Sequence, residues 1–300
     1  MNGTQVDAAG RVDTAERKQV LLALTRIQAK RYVRHPVFVV TAALVLSGVL
    51  QAIVSPDGDN GGKWDATLAF VLWIGLFGVV VGYRLTVTEE QASDVLPSAP
   101  TDQRVRTLAL FAACLVPVGA TVVLMACYGV ANLLVPQSAD GPFLLRPATG
   151  QIGWVDYIAS VLEAPVSAFG GAALGIVVAR WLRFAGAGVL AMVVVFLVEF
   201  SCMAIGETSL VGDKLWARAL ANLMPYRYWS YNPDGAEGTY STMAPGSAVG
   251  HVIYATALCG LAIAAGILKG ATPAVKTAWI KVGGTLMAVA VAAYLWALLG

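Results

Sequence analysis

Two carboxylates inside apolar stretches are the side chains of this sequence best placed to do chemistry. Glu163 and Glu199 each lie in a run of mostly apolar residues long enough to cross a membrane. An Asp, Lys or Arg at the centre of a spanning helix costs roughly 2.5–3.5 kcal/mol, so an intramembrane charge is a functional hypothesis by default. The two glutamates lie at similar depths of antiparallel runs and could bind a cation or a polar substrate group near a gate. Alternatively, they reach surface water or hydrogen-bond neighbouring helices.

No motif for catalysis accompanies these glutamates. The glycine-rich segment 58–63 has the wrong spacing for a nucleotide-binding loop, and Trp64 follows where Ser or Thr would bind magnesium. His35 and His251 fall near opposite membrane faces, so they do not suggest a haem. The four cysteines form no C-x-x-C pair and are interpreted as small apolar fillers. We therefore predict no enzyme activity, no metal site, no cofactor bound by this chain and no nucleic-acid partner.

The composition is that of an integral membrane protein. Of 300 residues, 58% are hydrophobic and 13% are charged, and the mean hydropathy is +0.70. Soluble domains contain about 25% charged residues. The apolar runs are continuous rather than alternating, which favours helices over a membrane barrel.

Apolar runs of spanning length predict an all-α, polytopic membrane bundle of six to seven transmembrane helices. An N-terminal amphipathic surface helix precedes them. The third run is overlong and is expected to tilt or to project beyond the bilayer. The runs are 36–54, 65–83, 107–135, 156–179, 185–205, 250–268 and 278–299.

The distribution of basic residues predicts the orientation. Most of the 20 Lys and Arg residues fall on one side of the predicted spans, together with the N-terminus, and positive charge marks the cytoplasmic side. We therefore expect a multi-pass protein of the plasma or inner membrane with a cytoplasmic N-terminus. Segment 84–106 would be cytoplasmic and loop 206–249 extracellular. Within that loop, residues 215–223 have the pattern of an amphipathic helix.

The chain divides into an N-terminal part, residues 1–35, and a transmembrane domain, residues 36–300. Residues 1–15 are expected to lack regular structure. Residues 16–35 combine apolar positions at helical spacing with Arg and Lys, as in a helix lying on anionic lipid. Pro36 marks the bend into the first span. Two ladders of small residues, Gly78-x3-Gly82 and Ser167-x3-Gly171-x3-Gly175, predict close helix packing.

A polar segment between the second and third runs predicts a short cytoplasmic helix. Thr88 can cap a helix whose first turn contains Glu89 and Glu90. Pro97 would end it after about two turns, and the sequence around Asp102 would begin the next helix. Such a helix is suited to being moved by a soluble partner.

This pattern resembles the permease subunit of ABC-2 type transporters. The resemblance depends on the basic helix ending at His35-Pro36, the first two spans and the stretch 89–106; beyond residue 135 it is architectural. It implies a dimer with the same or a related chain, and two copies of a separate ATPase that binds ATP and magnesium. It implies export of hydrophobic or amphipathic compounds. The residues that would couple to the ATPase are Thr88, Glu89, Glu90, Asp94, Leu96, Pro97, Pro100 and Arg104.

Two other classes of protein remain open. A secondary transporter would use Glu163 and Glu199 for proton or ion coupling, and would show sequence repeats and broken helices. A non-transporting membrane anchor would have a purely structural role.

Overall fold

The computed structural model describes residues 4–54, 73–95, 102–134, 154–182, 184–207, 215–223 and 247–299. Three predicted coupling residues, Leu96, Pro97 and Pro100, lie outside these ranges.

The described residues form only helices and short connections, so the prediction of an all-α fold is confirmed for them. The first helix begins at Thr4, and the expectation that residues 1–15 lack regular structure is wrong from that residue onward. In chain order the helices are α1 (Thr4–Val33), α2 (Pro36–Val54), α3 (Ile74–Val95), α4 (Gln103–Ala113), α5 (Leu115–Leu134), α6 (Trp154–Trp181), α7 (Ala187–Glu207), α8 (Leu215–Leu223), α9 (Ala248–Leu268) and α10 (Pro273–Leu299).

Several of these helices are long and apolar enough to cross a membrane. Within the described ranges there are four such segments: Gln103–Cys127, Val161–Trp181, Ala248–Leu268 and Pro273–Leu299. The pair Lys18–Val33 and Pro36–Leu50 makes a fifth if it is one span, and it bends by 59° at the position predicted for Pro36. The molecule is thus a helical membrane bundle. The prediction of six to seven spans stays a prediction.

The two ladders of small residues face each other where α3 packs along α6. A Cβ atom added to Gly171 would collide with the carbonyl oxygen of Gly75, and one added to Gly175 would collide with that of Val79. On the other helix, a Cβ atom at Gly82 would collide with the carbonyl oxygen of Ala172. The two backbones are therefore in direct contact, and the predicted role of the ladders in packing within the bundle is confirmed.

The predicted break before Thr88 is wrong, because α3 continues through this residue to Val95. The hydroxyl of Thr88 donates a hydrogen bond to the carbonyl oxygen of Arg84, at 2.9 Å, and Thr86 donates to Gly82, at 2.8 Å. Threonine hydroxyls that bond back to the preceding turn accompany a continuing helix, whereas a capping hydroxyl accepts from the next turn. Residues 88–95 are thus the end of α3 rather than a separate helix.

The third apolar run is divided into two helices at Cys114. Asp102 caps α4 as predicted, since its side chain accepts a hydrogen bond from the backbone NH of Arg104 at 3.1 Å. The helix ends at Ala113, and α5 begins at Leu115. The apolar segment nevertheless continues from Gln103 to Cys127 as one candidate span.

The C-terminal part of α1 packs on the bundle through one stripe of residues. Gln28 and Tyr32 are buried, and the ring of Tyr32 meets Phe38 edge to face at a centroid distance of 5.2 Å. Val20 and Ile27 of the same helix are exposed. This stripe brings α1 against α4 and against the end of α3.

The short helix α8 is held by two tyrosines from the last two helices. The hydroxyl of Tyr254 in α9 donates to the carbonyl oxygen of Leu223, and that of Tyr294 in α10 donates to that of Ala219, both at 2.8 Å. The predicted helix at residues 215–223 is therefore present, and it rests on α9 and α10.

Candidate functional site

The end of α3 forms a polar contact with three other helices, and we call this group of residues the α3 junction. It consists of Gln28 on α1, Glu89 and Glu90 on α3, Thr107 on α4 and Arg180 on α6. Gln28 donates a hydrogen bond to Glu89 at 2.6 Å. The junction therefore links the N-terminal helix to α3 at the point where the sequence predicted a coupling site.

Arg180 is the centre of the α3 junction. Its side chain is only 3% exposed, and it forms a salt bridge of 3.0 Å with Glu90, which is 27% exposed. A second nitrogen of the guanidinium donates to the hydroxyl of Thr107 at 2.9 Å. A guanidinium stays protonated in proteins, so its burial in an apolar bundle requires an anionic partner. Glu90 supplies that charge and thereby fixes the end of α3 to the end of α6.

The other predicted coupling residues that the structure describes are Thr88, Asp94 and Arg104, and they are not among the residues of this junction. Thr88 is exposed on α3, and Asp94 lies in its last turn. Arg104 donates a hydrogen bond to the hydroxyl of Thr272 at 2.8 Å, which joins the start of α4 to the connection between α9 and α10. The sequence thus predicted the segment, but it gave no sign that Glu89 and Glu90 bind inward to Gln28 and Arg180.

The aromatic residue next to Arg180 adds a further link at the same end of the bundle. The indole NH of Trp181 donates to the carbonyl oxygen of Ala265 at 3.1 Å. The ammonium of Lys269 lies 4.9 Å from the centre of the indole ring, within cation–π range. The end of α6 is therefore tied to both α3 and α9.

A second polar site lies farther along α6, about 25 Å from Arg180 at 1.5 Å per residue. Glu163 and His251 are 2% and 0% exposed, and their Oε1 and Nδ1 atoms are 2.8 Å apart. The second carboxylate oxygen of Glu163 is buried and has no hydrogen-bond partner among the described residues. The pair joins α6 to α9 in the apolar interior.

The interpretation of Glu163 and Glu199 as a site for a cation or a polar substrate group stays a prediction. Glu199 is half-buried on α7, and no hydrogen bond or ion pair to it is found within the described ranges. The partner of Glu163 is instead His251, which is 88 positions away in sequence. A histidine at the start of an apolar run was the available signal, but sequence spacing does not show which helix it faces.

We expect Glu163→Ala to destabilise the protein more than Glu163→Gln. Alanine leaves the imidazole of His251 buried without this partner, whereas glutamine retains a polar group at the same distance. A buried group that loses its partner costs about 1–3 kcal/mol. Thermal unfolding in detergent of both variants, with and without His251→Ala, measures this coupling.

If the stability losses of Glu163→Ala and His251→Ala simply add in the double variant, the two side chains do not stabilise each other. Glu199→Ala serves as the matched control, because it removes another intramembrane glutamate that lacks a described partner. That control is expected to unfold close to the temperature of the unaltered protein.

Comparisons of the chain with protein-family models, with curated proteins and with solved structures give no match.

Proposed function

We propose that this chain is the membrane-spanning permease subunit of an ABC-2 type exporter. It works as a dimer, with itself or with a related chain, and each copy binds a separate ATPase on the cytoplasmic side. The ATPase binds ATP and magnesium, and its closure moves α3. The substrate is hydrophobic or amphipathic and leaves the cell through the bundle.

The observation that supports this proposal best is the continuity of α3. This helix has 22 residues, so it is about 33 Å long, and it carries the first part of the predicted coupling segment, Thr88 to Asp94, on the same element as the contact with α6. Its end is fixed to α6 by the salt bridge between Glu90 and Arg180. A force applied at the end of α3 would therefore move α3 and α6 together.

Leu96→Glu tests the contact with the ATPase. Leu96 follows the last residue of α3, and the resemblance places it against the partner, where a new carboxylate would be desolvated at the interface. We expect ATPase binding to weaken by about tenfold or more, and ATP hydrolysis to lose its stimulation by the permease. Binding is measured with an ATPase that co-purifies with this chain, and hydrolysis after reconstitution of the two proteins in vesicles.

Ala274→Glu is the matched control, because it adds the same carboxylate to an exposed position near the Arg104–Thr272 contact. It is expected to bind the ATPase as the unaltered chain does. Both variants should unfold at the same temperature. Equal binding by the two variants would contradict the predicted contact, and failure of any ATPase to bind the chain would reject the proposal.

A secondary transporter is the alternative that one observation favours. The Glu163–His251 pair is a buried titratable group between two helices, a type of site that carries protons in transporters. This alternative predicts substrate movement by the chain alone in vesicles with a proton gradient, and loss of that movement in Glu163→Gln. The exporter proposal predicts that movement requires the ATPase and ATP.

A further inference from the structure

A cavity of about 660 Å³ opens beside the α3 junction. It lies between α3, α4, α6 and the connection that leads into α7, and its volume is in the range of small-molecule sites, about 300–1,000 Å³. Its walls carry two glutamates and two arginines: Glu89, Glu90, Arg106 and Arg180. The proposed contact of the ATPase with Leu96 does not account for this cavity.

The charged side chains on the described part of the cavity wall have both signs. Arg106 and Arg180 are near enough to repel each other, while Glu89 and Glu90 attract Arg180. A ligand with only negative charge would be repelled by the carboxylates, and one with only positive charge would be repelled by the guanidiniums. A ligand that carries an anionic and a cationic group can contact side chains of both signs.

The rim of the cavity is apolar. Val87, Leu182 and Phe184 also line it, and Leu182 and Phe184 are nearly half exposed. The neighbouring Trp181 is 51% exposed and is the last residue of a candidate membrane span. The cavity therefore lies at the depth where a bilayer places its headgroups, with charge inside and apolar surface at the edge.

We propose that this cavity binds the headgroup of a phospholipid that carries both a phosphate and a primary ammonium. The phosphate faces Arg106, because a guanidinium group donates paired hydrogen bonds to phosphate oxygens. Arg180 is buried, and its two terminal nitrogens already bond to Glu90 and Thr107. The ammonium faces Glu89, since Glu90 already forms the salt bridge with Arg180. The glycerol and the acyl chains of the lipid extend out of the cavity across its apolar rim at Leu182 and Phe184. This inference does not depend on the proposed ATPase.

The experiment measures which lipid stays bound to the protein. The chain is purified in mild detergent from vesicles of equal phosphatidylethanolamine and phosphatidylglycerol, and retained lipid is quantified by mass spectrometry. We expect retention of phosphatidylethanolamine in preference to phosphatidylglycerol by about tenfold. Arg106→Gln should lower that retention to the level of bulk lipid. Inorganic phosphate and free phosphoethanolamine at millimolar concentration should not displace the lipid.

Two further variants test the assignment of charges. Glu89→Gln retains an oxygen that can accept from Gln28 but loses the charge, so the preference for phosphatidylethanolamine over phosphatidylglycerol should disappear while total retention persists. Arg84→Gln is the matched control, since Arg84 is exposed on α3 and does not line the cavity. It should retain lipid as the unaltered chain does.

Three results would overturn the proposal. Equal retention in Arg106→Gln and Arg84→Gln would show that the cavity does not bind the lipid. Displacement by inorganic phosphate would show a site for a free anion. If Arg106→Gln loses ATPase binding while its lipid retention is unchanged, a protein partner occupies the cavity. Thermal unfolding of each variant confirms that it is folded, so a failed ATPase contact and a failed lipid site remain distinguishable.

Discussion

Replacing Gly171 by alanine is expected to prevent stable packing of α3 on α6. The new Cβ atom would meet the backbone of Gly75, including its carbonyl oxygen, so no side chain can rotate away and the helices must separate. Overpacking of a core costs about 1–3 kcal/mol, and we expect at least the upper value because backbone opposes backbone. The measurement is the thermal unfolding temperature in detergent, together with the yield of monodisperse protein.

Gly119→Ala is the matched control for this prediction. Gly119 lies within α5 and has no atom within 4 Å of the position that its Cβ atom would take. Alanine is favoured over glycine inside a helix by about 0.5–1 kcal/mol, so this variant should be as stable as the unaltered protein or more so. If Gly171→Ala behaves as Gly119→Ala does, the two backbones are not in contact.

Glu90→Ala is also expected to lower the stability of the protein strongly. It leaves the guanidinium of Arg180 buried with Thr107 as its remaining described hydrogen-bond partner. Breaking a buried ion pair costs about 3–5 kcal/mol, and we expect the lower value because Glu90 is itself 27% exposed. Thermal unfolding measures this loss, and Gln91→Ala, at the exposed neighbouring position, should show little change.

The double variant Glu90→Leu with Arg180→Met shows whether the unpaired charge or the lost packing causes the loss of stability in Glu90→Ala. Replacing both members of a buried pair with apolar residues of similar size is often neutral or stabilising. We therefore expect this variant to recover most of the stability that Glu90→Ala loses. A double variant as unstable as Glu90→Ala would mean that the charge pair is not the cause of the loss.

Local sequence patterns predicted most of the described helices and one close contact between two of them. Apolar runs of spanning length mark helices in a membrane protein because every backbone polar group must be satisfied within the segment. Small residues at intervals of four mark the face on which two helices can approach, and Gly171 and Gly82 lie on that face. Asp102 was recognisable as a cap because its interaction is with the next turn of the same helix.

The predictions that were wrong concern choices that local patterns do not determine. The pattern of Thr88 and Gln91 is that of a capping box, but the same residues can continue a helix when the threonine bonds to the preceding turn. The partners of Glu90 and Glu163 are 90 and 88 positions away in sequence. Which faces of two distant helices meet depends on the packing of the whole bundle.

Helix α10 packs against α9 and supports the end of the bundle at which α8 lies. A Cβ atom on Gly250 in α9 would lie 2.7 Å from the backbone nitrogen of Ala297, so these two helices also touch backbone to backbone. Tyr294 supplies one of the two hydroxyls that secure α8. Shortening the chain before Pro273 would uncover α9 and remove half of that attachment at once. Helix α10 thus supports both α8 and α9. A tag or fusion partner is better joined after α10 than used to replace it.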